Sequence, residues 1–73
     1  MNLAEARNIS ISSNPTPDEL LEAHKIVAVE HGYLLAIVTR RLEDNPNIES
    51  ELWDLLLVIA IIEAKIKIKF NNK

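Results

Sequence analysis

The stretch Leu55-Leu56-Leu57-Val58-Ile59-Ala60-Ile61-Ile62 constrains this chain more than any other: it is one unbroken apolar run between Asp54 and Glu63. A helix that crosses a bilayer needs roughly 20 such residues, so the run reads as a core segment and not as a membrane anchor. Around it the rows Leu55, Ile59, Ile62, Ile66, Phe70 and Leu57, Ile61, Ala64, Ile68 both keep three-to-four spacing. A helix here is therefore apolar over nearly its whole circumference as far as Ile62, and is expected to be buried from several sides. The same reasoning takes Trp53, set among Leu and Ile, as part of the core rather than of a cofactor pocket.

Burying such a helix is difficult in 73 residues, because a chain this short hides only about 60% of the surface its unfolded form exposes. The chain has no cysteine, which excludes disulfides and thiolate metal sites, the usual staples of small scaffolds. Self-association is the expected substitute. With 48% hydrophobic residues, one Gly and three Pro, the chain is neither disordered nor built of loops, and should be mostly helical. Its net charge of −3 argues against a surface that binds polyanions all over, so any nucleic-acid contact must be local. Met1 to Arg7 shows no apolar leader and no small-residue cleavage site, and the expected location is cytoplasmic.

The chain divides at its prolines and its glycine. Residues 7–12, Arg-Asn-Ile-Ser-Ile-Ser, alternate with a period of two, the pattern of a half-buried strand. Ile9 and Ile11 would face one side, and Asn8, Ser10 and Ser12 the other. Ser13-Asn14-Pro15-Thr16-Pro17 is turn-forming. Thr16-Pro17-Asp18-Glu19 is then a strong helix start, with Thr16 as cap, Pro17 in the first helical position and Glu19 completing a capping box.

Helix A is expected over 17–31, with Leu20, Ala23, Ile26 and Val27 on its apolar stripe. Gly32 reads as a corner, since a mid-helix glycine costs about 1 kcal/mol relative to Ala. Helix B follows over 33–43, with Arg40 and Arg41 complementing its dipole, and Asp44-Asn45-Pro46-Asn47 ends it. Asn47 caps helix C, 48–70, whose opening turn holds Glu49 and Glu51. Lys65 to Phe70 also alternates with a period of two, so both helix and strand stay open there.

Nothing in the chain points to catalysis. There is no Walker loop, dinucleotide fingerprint, GxSxG elbow or metal-binding Cys/His array. His24 and His31 are seven apart on one helix, too far for one metal. No enzyme activity, cofactor or metal is expected.

The order strand, short loop, helix, single-glycine corner, helix within Arg7 to Glu43 resembles the ribbon-helix-helix (MetJ/Arc-type) family of DNA-binding regulators, which read DNA with a strand pair. In size and in Ile, Lys and Glu usage the chain is also similar to small regulators of archaeal viruses and plasmids. The resemblance implies a mainly α, intertwined homodimer that regulates transcription. Its paired strands would enter the major groove of double-stranded DNA, with Asn8, Ser10 and Ser12 as base contacts. Arg7 and the start of helix B, Gly32, Tyr33 and Leu34, would hold phosphates. The dimer core would comprise Ile9, Ile11, Leu34, Val38, Leu55, Ile59 and Ile62.

Two other readings stay open. One keeps a dimer without DNA binding, as an antitoxin-like or assembly module that meets another protein through helix C or through the Lys-rich end, Lys65, Lys67, Lys69 and Lys73. The other changes the fold: residues 17–43 form one helix through Gly32, paired with helix 48–70 as an antiparallel hairpin. Two such hairpins would make a four-helix bundle, with Ile9 and Ile11 pairing as strands with Ile66 and Ile68.

Overall fold

The computed structural model describes residues 1–40 and 46–71. They form three helices, α1 (Leu3–Ile11), α2 (Pro17–Thr39) and α3 (Pro46–Asn71). No strand occurs among the described residues, which overturns the ribbon-helix-helix fold: the segment 7–12 is the second half of α1 and its closing residue.

The reason lies just upstream of that segment. The Asn2 side chain accepts from the Glu5 backbone N–H at 2.9 Å while Glu5 accepts from the Asn2 N–H at 3.3 Å, a reciprocal cap that starts a helix at Leu3. Leu3, Ala4 and Ala6 are strong helix formers. Leu3, Ala6 and Ser10, at helical spacing, turn inward, with Ala6 and Ser10 buried. A lone strand would leave its N–H and C=O groups waiting for a partner, whereas a helix pairs them within itself. Two isoleucines two apart then fall on different sides: Ile9 packs against the core and Ile11 is 78% exposed.

The expected break at Gly32 is also absent. Helix A and helix B are one element, α2, which starts at Pro17 with Thr16 and Glu19 exchanging cap hydrogen bonds at 3.1 and 2.9 Å. A Cβ built on Gly32 would meet nothing within 4 Å, so its cost is only the intrinsic one, about 1 kcal/mol. Continuing the helix keeps Leu34 in line with Leu20 and Val27, all three buried. Burying a leucine gives about 1.5–3 kcal/mol, so packing prevails over local propensity. The last residues expected in helix B, and the Asp44-Asn45 stop, lie outside the described residues.

Helix C begins earlier than expected, at Pro46, and Asn47 lies in its first turn instead of capping it. It runs unbroken to Asn71, so Lys65 to Phe70 is helix and the proposed pairing of end segments as strands is absent. His24, early in α2, faces Glu63, late in α3, with Nε2 donating to Oε1 at 3.1 Å; the two long helices therefore run antiparallel. This is the hairpin of the alternative fold. α1 lies along both, parallel to α3, with Arg7 paired to Asp54 and Ser12 to Lys65.

The core is one cluster along this three-way seam: Ala6 from α1, Leu20, Ala23, Val27 and Leu34 from α2, and Ile48, Leu55, Val58 and Ile62 from α3. The molecule measures 46 × 20 × 15 Å. One helix with its side chains is about 10–12 Å across, so α3 cannot be enclosed on all sides by two neighbours.

Candidate interaction surface

The residues expected to read DNA do not converge. Asn8 is exposed, while Ser10 is buried with its hydroxyl donating to the Arg7 carbonyl at 2.6 Å. Ser12 closes α1, its N–H donating to the Ile9 carbonyl at 3.2 Å. Residues two apart share a face on a strand but are turned by about 200° on a helix. Arg7, expected on a phosphate, is paired with Asp54. Gly32, Tyr33 and Leu34 sit in the middle of α2, where backbone N–H groups serve the helix itself and offer no anion site. Of the expected dimer core, Leu34, Leu55 and Ile62 are buried within a single chain, Ile9, Val38 and Ile59 are half-buried against them, and Ile11 faces outward.

The Lys-rich end is partly committed as well. Lys65 donates to the Ser12 carbonyl at 2.5 Å and Lys69 to Asn14 Oδ1 at 3.0 Å. Both hold the carboxyl end of α1 and the following loop, where the helix dipole favours a cation. Lys67 points away and is exposed, and Lys73 lies outside the described residues.

What the structure brings together instead is apolar. Trp53 is 72% exposed, Leu57 60% and Ile68 65%, and with Ala60 and Ala64, also exposed, they follow one another down the outward side of α3 at intervals of three and four. Leu56 adds to one edge. This corrects the expectation that Trp53 is core and that this helix is covered on several sides: α1 and α2 take the face through Ile48, Leu55, Val58 and Ile62, and among the described residues the opposite face has no neighbour. The apolar circumference of Leu55 to Ile62 was the signal for it, since three helices of this length hold too little material to wrap the third.

Charge is polarised along the same helix. Glu49, Glu51 and Asp54 occupy its first turns, and Lys65, Lys67 and Lys69 its last, each sign at the end the macrodipole favours. Elsewhere, an open groove of about 430 Å³ lies between Met1 and Leu3 on one side and Ile26 and Val29 on the other, with Glu22, Lys25 and Glu30 at its rim. Its charged groups are spread along the rim and do not converge on a point. Among the described residues no three His, Asp or Glu side chains gather as a metal site, and no helix is long and apolar enough to cross a membrane.

No family model, curated protein or solved structure matches this chain.

Proposed function

We propose that the protein is a small, non-enzymatic helical module of the cytoplasm that works by docking protein through the outward face of α3. The observation that carries this reading is the line Trp53, Leu57 and Ile68, each more than half exposed on one helix face. Contiguous apolar surface of this kind is seldom left open on a soluble monomer. A tryptophan at its amino-terminal end is the residue type that most often dominates a protein interface, because it removes a large apolar area from water with few rotatable bonds. The DNA-reading alternative depended on a strand pair that is absent among the described residues, and its three candidate readers do not share one face, Ser10 being turned inward and buried, so no observation favours it.

Photo-cross-linking tests the reading. A benzoylphenylalanine in place of Trp53 should form a covalent adduct with protein, whether a second copy or another chain, when irradiated in extract of the source cells. The same group at Glu22, on an exposed stretch of α2, serves as control. Equal yields at the two positions would remove α3 as the working surface.

A further inference from the structure

A glutamate, four apolar residues and a lysine share one sector of α3. At 3.6 residues per turn, Glu49, Trp53, Leu57, Ala60, Ala64 and Lys67 fall within about 80° of one another on its outward side. All six are exposed. Among the described residues neither Glu49 nor Lys67 has a hydrogen-bond or ion-pair partner, and they stand about 27 Å apart along the axis. The stripe is thus bounded by an unpaired anion at one end and an unpaired cation at the other.

We propose that a second copy of this chain covers this face, docked antiparallel about a two-fold axis near residue 58. In that register Glu49 of each chain meets Lys67 of the other. Trp53 lies over the partner's Ala64, and Leu57 over the partner's Ala60, so that a large side chain on each copy meets a small one. The pairing is self-complementary, as a two-fold interface requires. A parallel arrangement would set Glu49 against Glu49 and Lys67 against Lys67.

The exposed area leaves room for an interface of ordinary size. The chain exposes 5334 Å², whereas a folded monomer of 8.3 kDa is expected to expose about 4,600 Å². The excess, about 700 Å², is close to the roughly 800 Å² that each partner contributes to a standard stable interface. Paired this way, two α2–α3 hairpins meet back to back, with α1 on the outside of each.

This inference rests on reading α3 as a docking face, and sedimentation equilibrium of the full chain, from low micromolar to near-millimolar concentration, separates the two. The wild type should sediment as a concentration-dependent dimer. Trp53→Ala with Leu57→Ala should weaken it at least about tenfold, with helicity by circular dichroism unchanged because both side chains lie outside the core. Glu49→Lys and Lys67→Glu should each weaken it about two- to fivefold, and combining them should restore wild-type affinity.

A chain that stays monomeric at every concentration, yet binds a hydrophobic dye that Trp53→Ala with Leu57→Ala abolishes, overturns the self-partner and leaves the docking face standing. A dimer indifferent to that double substitution overturns both. Failure of the combined charge exchange to restore affinity overturns the antiparallel register, and with it the proposal.

Discussion

Lys65 donates from Nζ to the carbonyl oxygen of Ser12 across 2.5 Å, joining the last third of α3 to the residue that closes α1. Helix carboxyl ends carry partial negative charge on unpaired carbonyls, so an ammonium group placed there meets both a hydrogen-bond acceptor and a favourable field. One turn further on, Lys69 reaches Asn14 at 3.0 Å. The basic end of the chain thereby works as a clamp on its shortest helix. Replacing Lys65 by Met should lower the unfolding free energy by about 1 kcal/mol, the usual worth of a partly exposed charge-assisted hydrogen bond. Lys67→Met should change it by less than about 0.5 kcal/mol. Urea denaturation of the two variants compares them directly, and equal losses would contradict the clamp.

Gly32 lies in the middle of a continuous helix with open space where its side chain would be. Gly32→Ala should therefore stabilise the protein by about 0.5–1 kcal/mol, through the lower entropy of the unfolded chain and the better helix propensity of Ala. In a domain this small that is a rise in Tm of about 2–8 °C. A fall in Tm would mean that α2 breaks at this residue after all.

Ile9 and Ile11 should respond differently to truncation. Ile9 packs against the core and Ile11 is mostly exposed. Ile9→Ala is expected to cost about 1 kcal/mol and Ile11→Ala less than about 0.5 kcal/mol, both read from thermal or urea unfolding. Similar, large losses at both positions are the outcome a period-two strand demands, and would count against α1.

The cap of α2 has a pH signature. The carboxyl of Glu19 is held below the ordinary glutamate range, first by the hydrogen bond from the Thr16 backbone N–H and then by that from the Thr16 hydroxyl. A carboxylate whose folded pKa is depressed contributes stability that is present above its unfolded pKa and is lost as pH falls through the folded one. The stability difference between wild type and Glu19→Gln should therefore be largest near neutral pH and shrink on acidification through the glutamate range. A difference that does not vary with pH would mean that the carboxylate is not an acceptor in the cap.

The start of α2 was legible because it is encoded within four residues: Thr16, Pro17 and Glu19 act on backbone groups one turn away and need no help from the rest of the molecule. The first helix was encoded just as locally, in Asn2 and Glu5, but two isoleucines at Ile9 and Ile11 suggested a strand over a window too short for periodicity to decide. Gly32 was misleading for a different reason. Its local preference is worth about 1 kcal/mol, and what outweighs it, the burial of Leu34 against α3, does not exist until the hairpin closes.

The outward face of α3 was the least legible part. Hydrophobic pattern says which residues avoid water and is silent on how many neighbours are present to shelter them. Helicity, the start of α2 and the all-round apolar character of Leu55 to Ile62 were readable from the residues alone, because these follow from interactions within one or two turns. Which side of that helix is covered depends on how the three helices pack. Two helices of 9 and 23 residues can bury one face of α3 and no more, so Leu55 and Ile62 became core while Trp53 and Leu57, with the same preference for burial, were left facing solvent.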